Sequence, residues 1–414
     1  MKKLLTAILT IILLFPSLTA DCSTSILDES ISLASNKLIM DTVEIKKWNE
    51  QNENIYINTP ISKFTIEFKI KSLSIIPSAK RYLKDSYGFF HEADMEYFKQ
   101  LNENINYQAI TDKENIVYGF IIKRTPLKTF PSHDEVFSSP SSVHDRFLES
   151  TLYPFEPVAI IHESRDGEWL FVKMYNYEGW VHKSNVAVTS LEILKLYEKN
   201  NNFIVITNPK TYMAYTSTEL DMGCVFPLVK QHEKYFTVLC PKQNSDGKLY
   251  FSFGYVASED ANIGYLQYNM KNILIQAAKF IDEPYGWGGM NGYRDCSALV
   301  MDIFRSVGVK LKRNTDQQET MNPITRDVRN LSKQEKENIL RAQPPGSLIF
   351  MDGHVMLYLG WIEEKGYILH DITIYYSEGV YVSANKVAIT DIYIKNSVGY
   401  EYINLFTSFL FISK

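Results

Sequence analysis

Tyr285-Gly286-Trp287-Gly288-Gly289-Met290-Asn291-Gly292-Tyr293-Arg294-Asp295-Cys296-Ser297 is the stretch on which the fold turns. It opens on a Gly-rich turn and closes on a helix start. Beyond it, Leu299, Val300, Ile303, Phe304 and Val307 recur at the offsets of one helical face, and Gly308 supplies a C-terminal stop. Asp295 is a good helix cap, which puts Cys296 at the first helical position. There the unpaired backbone N–H groups and the positive end of the helix dipole are expected to favour thiolate over thiol. The same groups suit the oxyanion of a tetrahedral intermediate, so Cys296 reads as a nucleophile rather than a structural cysteine.

A nucleophilic thiol needs a base, and only His354 and His370 follow Cys296 in the chain. Pro344-Pro345-Gly346 precedes a predicted strand at Ser347–Phe350. A turn at Asp352-Gly353 then leads into His354-Val355-Met356-Leu357-Tyr358-Leu359-Gly360. This second strand is expected to lie beside the cysteine helix and bury Val355, Leu357 and Leu359. A hairpin through Glu363–Gly366 would return Tyr367–Asp371 antiparallel, so His370 could hydrogen-bond the far ring nitrogen of His354 and fix its tautomer.

Upstream of this segment, Ile273, Leu274, Ala277, Ala278 and Ile281 mark another helix, ended by Pro284. Residues 116–190 and 195–262 carry short strands separated by turn signals, among them Arg165-Asp166-Gly167 and Ser245-Asp246-Gly247. Both stretches close on Gly-aromatic-Val, at Gly179-Trp180-Val181 and Gly254-Tyr255-Val256, which points to two diverged copies of one small barrel. Residues 21–115 show helical patterns around Ser23–Asn36 and Asp94–Leu101 and no chemistry, the texture of a packing region. Residues 1–20 look like an export signal: Lys2 and Lys3, the apolar run Leu4–Phe15, Pro16, and a small residue for cleavage at Ala20.

With 414 residues the chain is too long for a single core. The formal net charge of -5, with no basic stripe, argues against nucleic acid or an anionic membrane surface as partner. Nothing but the signal is apolar enough to insert stably in a membrane. The four cysteines, Cys22, Cys224, Cys240 and Cys296, have no metal-ligand spacing, and no phosphate loop is present, so no metal or cofactor is expected. Cys224 and Cys240 could pair across strands in an oxidising compartment.

The motifs Tyr285–Gly289, Asp295-Cys296-Ser297, Pro345–Phe350 and Gly353-His354-Val355, with the later His370, together resemble the NlpC/P60 family of papain-like cysteine peptidases. The Gly-aromatic-Val endings resemble bacterial SH3b domains. The fold class expected is therefore multidomain: a helical N-terminal region (21–115), two small SH3b-like β-barrels (116–190 and 195–262) and a C-terminal α+β papain-like NlpC/P60 domain (263–414).

The resemblance implies hydrolysis of the amide between γ-D-glutamate and a diamino acid, usually meso-diaminopimelate, in peptidoglycan stem peptides. It implies attack by Cys296, proton transfer by His354, orientation of His354 by His370, and help at the oxyanion from Tyr285. Asp295, Ser297, Trp287, Arg313 and Asn314 would lie on the substrate side. Read from the residues alone, Tyr285 could instead pack on Trp287, and Asp295 could act only as a cap. Two departures stand out. Some relatives carry an acid after the arginine, for a substrate amino terminus, where this chain has Asn314. The family's usual Gly-Asp-Leu is Gly346-Ser347-Leu348. In multidomain relatives the first SH3b module narrows the groove, which would favour short released peptides. The expected location is the periplasm, or secretion into the cell envelope; oligomeric state is not legible. The competing readings are a wall-binding protein with a silent peptidase-like domain, and a Cys-dependent amidase or acyltransferase.

Overall fold

The computed structural model describes residues 17–52, 55–57, 59–321, 325–377 and 379–413. The expected export run Leu4–Phe15 lies outside them. Among the described residues no helix is long and apolar enough to cross a membrane.

Helices Ser17–Leu33, Thr42–Asn52, Lys63–Leu73 and Met95–Asn104 lead the chain. The last starts where its cap predicts, with the Asp94 side chain accepting the Tyr97 N–H. Ile66, Ile70, Phe98 and Leu101 from these helices pack with Phe130, Phe147, Phe171 and Trp180 of the sheet that follows. Lys63–Leu73 and Met95–Asn104 thus cover one face of that sheet, whereas Ser17–Leu33 packs against the helix Met270–Ala278 and the strand His354–Ile362.

That sheet has seven antiparallel strands, in spatial order Val186–Thr189, Val117–Ile121, Pro157–Glu163, Trp169–Lys173, Glu178–His182, Thr125–Lys128 and Leu148–Leu152. A five-stranded sheet follows, in the order Leu249–Ala257, Tyr235–Gln243, Val225–Gln231, Phe203–Ile206 and Ala261–Ile263. The two Gly-aromatic-Val endings differ in setting: Trp180 is fully buried, whereas Tyr255 lies on the surface. Cys224 and Cys240 are free thiols, contrary to the cross-strand pair considered from sequence. Cys240 points at the Met213 sulfur, 3.9 Å away, and Cys224 is held in the turn after Asp221, so each thiol is buried in a separate contact.

The C-terminal sheet has six strands in the order Arg326–Asp327, Ser408–Leu410, Leu348–Met351, His354–Ile362, Lys365–Ser377 and Val380–Asp391. Strand alternation sorts its two faces. Val355, Leu357, Leu359 and Leu369 pack with Leu299, Val300 and Ile303 of the helix Cys296–Arg305. Met356, Tyr358 and Ile368 pack with Leu340 of the helix Lys333–Ala342 on the other face. The hairpin expected at Glu363–Gly366 is tight. Ile362 pairs with Lys365, and Glu363 and Glu364 both take positive φ, the backbone of a two-residue hairpin turn. Ser347, the departure from Gly-Asp-Leu, is buried; its hydroxyl donates to the Pro344 carbonyl and accepts from the Gln343 amide, closing the turn before the strand.

The three β-rich parts are joined through buried charge. Arg294, fully buried, donates to Asp302 at 2.5 Å, to both oxygens of Glu283 and to Asp221 of the middle part. Arg124 of the first sheet's module also reaches Asp221, and Tyr153 donates to Asp302 at 2.8 Å. Three carboxylates around one guanidinium satisfy its donors in the interior, the condition under which buried charge is tolerated.

Candidate active site

Cys296 is the first residue of its helix, as the sequence predicts, and Asp295 caps it by accepting the Ala298 N–H at 2.9 Å. The cap also fixes its surroundings. Arg313 grips Asp295 with two donors, at 3.1 and 2.6 Å, while the Ser297 hydroxyl donates to Asp295 and accepts from Arg313. Burial works against ionisation of Asp295, but Arg313 and these hydrogen bonds hold its carboxyl below the usual range. Asp295, Ser297 and Arg313 therefore satisfy one another beneath the thiol.

The thiol lies against the start of the histidine strand, where the Val355 N–H hydrogen-bonds to it, and the Thr315 hydroxyl is 3.9 Å from the sulfur. Burial pushes the Cys296 thiol up to about 11 and Asp295 adds to this, while Val355 and Thr315 pull the other way. Desolvation and a neighbouring carboxylate thus oppose the thiolate that the helix start favours.

His354 Nε2 and His370 Nδ1 are 2.9 Å apart, and His370 Nε2 is 3.1 Å from the Thr390 hydroxyl. Burial pushes His354 down to about 4. His370, with no exposed surface, is held well below its ordinary value by burial and then by His354. Both imidazoles are neutral at pH 7. If His370 donates to Thr390, its Nδ1 accepts the Nε2–H of His354, and the His354 lone pair then lies at Nδ1. Thr390 is a partner that sequence reading missed, twenty residues from His370 along the chain.

Tyr285 joins the site beside Cys296 and Asp295. Burial raises its phenol, and the charges of Cys296, Asp295 and Asp371 raise it further. Asp371, also missed from sequence, is 1 % exposed, with no hydrogen-bond partner for either carboxyl oxygen. Its charge acts on Cys296, Tyr285 and Asp295, and its backbone pairs with Val387.

The first sheet's module forms one wall. His144 stacks on Trp287 with ring centroids 5.1 Å apart, and Arg146 lies over the same indole at 5.0 Å. Ser150 accepts from Arg313 at 2.8 Å, and Thr151 donates to the Gly288 carbonyl at 3.0 Å. Gly289 has to be glycine: its φ is +100°, and a Cβ there would lie 1.9 Å from the Thr151 hydroxyl oxygen. Asn314 caps the short helix Thr315–Glu319 and contacts Tyr177, whose hydroxyl donates to Glu149 at 2.6 Å. Of the residues singled out from sequence, Asp295, Cys296, Ser297, Arg313 and Tyr285 form one cluster and His354 with His370 a second at the adjoining strand. Trp287 and Asn314 meet the first module.

A capped, buried cysteine at a helix start, packed on a sheet whose adjoining strand begins with a paired histidine, is an arrangement that suits a cysteine hydrolase. Residues 282–395 match the NlpC/P60 family, and residues 136–182 match an SH3 domain of the SH3b1 type. The chain is 28% identical over 232 residues to Dipeptidyl-peptidase 6 of Lysinibacillus sphaericus, covering 53% of this chain and 79% of that protein. It is 24% identical over 190 residues to the Gamma-D-glutamyl-L-lysine dipeptidyl-peptidase of Bacillus subtilis, covering 42% of this chain and 58% of that one. An NlpC/P60 endopeptidase from Photobacterium damselae subsp. piscicida shares the fold, with TM-score 0.70 at 19% identity over 88% of this chain and 90% of that chain. An NlpC/P60 family protein from Bacillus cereus has TM-score 0.51 at 18% identity, over 72% of this chain and all of that one. The chain carries an NlpC/P60 domain together with an SH3b domain, and it is a peptidase.

Proposed function

We propose that the protein hydrolyses the γ-D-glutamyl–diamino acid amide of peptidoglycan stem peptides, with Cys296 as nucleophile. The observation that carries this reading is the Cys296 thiol, set on the Asp295–Arg313 lattice and contacted by the Val355 N–H, one residue from the His354–His370 pair. The choice of bond is supported by the name of one similar protein, the Gamma-D-glutamyl-L-lysine dipeptidyl-peptidase of Bacillus subtilis.

His354 takes the Cys296 proton as sulfur attacks the carbonyl and gives it to the leaving amine, leaving an acyl-thioester. It then takes a proton from the water that attacks the thioester and returns it to the departing sulfur, releasing the acid and the free thiol. His370, held by Thr390, orients His354. Tyr285 and the N–H groups of the helix start receive the oxyanion. Asp295, Ser297 and Arg313 position the thiol, while Trp287 and Asn314 lie where the stem peptide enters. His144 and Arg146 over Trp287 support a groove narrowed by the SH3b domain, suited to short released peptides rather than intact wall. In this reading the 195–262 segment is a second SH3b-like module, residues 21–115 brace the first, and the protein works after export, in wall turnover or muropeptide recycling.

Mass spectrometry of L-Ala-γ-D-Glu-diaminopimelate peptides incubated with the full chain, beside Cys296→Ala, tests the proposal. Release of L-Ala-γ-D-Glu by the wild type alone is the expected result. Cleavage at another bond, or equal activity in Cys296→Ala, would overturn it.

A further inference from the structure

Within the first sheet's module, two histidines and a glutamate converge from three separate segments. His133 lies in the loop before Val136–Phe137, Glu168 at the turn that enters the strand Trp169–Lys173, and His182 at the end of Glu178–His182. Their ligand atoms all lie within 4.8 Å of one another. We propose that His133, Glu168 and His182 form a binding site for a zinc-like divalent transition metal ion, outside the peptidase chemistry.

The donor set is that of a three-ligand zinc site, two imidazoles and one carboxylate with a position left for water. Bonds of about 2.0–2.2 Å to zinc require tetrahedral donor atoms about 3.3 Å apart, so closure needs movements of about 1.5 Å. His133 and Glu168 are exposed and His182 half-buried, and side chains in such settings make these movements by small rotations.

The backbone beneath the donors is fixed. The buried ammonium of Lys128 donates to the His133 and Asp134 carbonyls, tying the loop to the sheet. His182 stands directly opposite Trp169 in the strand pair, and the Lys183 N–H donates to the Glu168 carbonyl, closing the hairpin end. The buried Trp169 ring backs both imidazoles, with centroids 4.8 Å from His133 and 5.4 Å from His182.

The imidazoles are also prepared as ligands. His182 Nδ1 is 2.6 Å from the Ser184 hydroxyl, an outer contact that leaves Nε2 to carry the lone pair. The two rings lie with centroids 5.0 Å apart, tilted at 43° to each other, on the same side of the Trp169 indole. Glu168 supplies the compensating negative charge, and Lys123 is the cation whose charge opposes an ion there. A bound ion would clip the 131–135 loop to the hairpin. That loop also meets the N-terminal helices, through the Tyr97 hydroxyl donating to Asp134.

The test titrates Co(II) into the untagged full chain carrying Cys296→Ala, which removes the active-site thiol as a rival ligand. The expected result is a saturable visible ligand-field band at one equivalent, with quenching of tryptophan fluorescence, reversed by Zn(II). His133→Ala and His182→Ala should each abolish the band, and Glu168→Gln should weaken binding about tenfold or more. His133→Gln, which keeps loop polarity, serves as the second variant should His133→Ala not fold. Absence of a saturable band, or a band that survives in the His133 and His182 variants, would overturn the site.

Discussion

Replacing Asp371 by asparagine should make the protein more stable, by an amount that grows with pH. The carboxyl is almost fully buried, unpartnered at both oxygens, and set among Asp295, Glu283 and Arg294. Burial is the largest effect; Asp295 and then Glu283 add to it and Arg294 opposes, leaving the group raised to about 9. In the unfolded chain an aspartate titrates near 3.9. Between these values the unfolded state releases the proton while the folded state keeps it. The folded state therefore binds more protons, and stability falls as pH rises through this window, by about 1.4 kcal/mol per unit. At pH 7 the cost is about 4 kcal/mol, which relaxation and water entry reduce toward about 2. Asparagine has the same shape and no proton to lose, so the variant and the wild type should coincide near pH 4 and diverge above it. Paired urea or thermal unfolding curves at pH 4.5, 6, 7 and 8 would measure the difference. A difference that does not change with pH, or a variant less stable at pH 7, would refute the reasoning.

Other outcomes follow from the same buried charges. Arg294→Met removes the counter-charge of Asp221, Glu283 and Asp302 at once and should destabilise by about 3–5 kcal/mol, seen as a lower urea midpoint; an unchanged midpoint would sink the account of the junction. Because burial pushes His354 down to about 4, it should stay unprotonated through mildly acidic pH, and kcat/KM should be lost only as pH falls toward that value. An acid limb near 6.5, the ordinary histidine range, would contradict this.

What the sequence discloses about the site is local. Asp295, the helical offsets after Cys296 and the turn residues around Gly353 and Glu363 each dictate structure over a few residues, so helix, strand and hairpin are legible together. The hairpin turn is legible, but the turn alone would set Asp371 rather than His370 on the face of His354. A bulge between Tyr358 and Gly360 shifts the register by one residue and brings the two histidines together, and no local pattern announces it. Asp371 and Thr390 are not legible, since an acid in a strand reads as a solvated face until the packing on that face is known. The burial that opposes a thiolate at Cys296 is missed for a related reason: the helix start is written in sequence, but the depth of its burial is not. The contacts of His144, Arg146, Ser150 and Thr151 depend on how two domains dock, which no local pattern encodes.

That docking bears on what the catalytic unit is. Arg313, which holds the cap of the cysteine helix, has one of its donors satisfied by Ser150 of the SH3b side. The Gly-rich turn beside Tyr285 is shaped to receive Thr151, and Arg124 bonds the Gly289 carbonyl while also gripping Asp221. Separating the peptidase part from its neighbour would leave a buried guanidinium short of an acceptor directly beneath the nucleophile, and would uncover the Trp287 face. Losing partners for buried charge costs several kcal/mol, more than a typical surface contact contributes. The position of the thiol is thus a property of the assembled chain: the SH3b domain completes the hydrogen-bond lattice that sets Cys296, as well as bounding the groove in front of it.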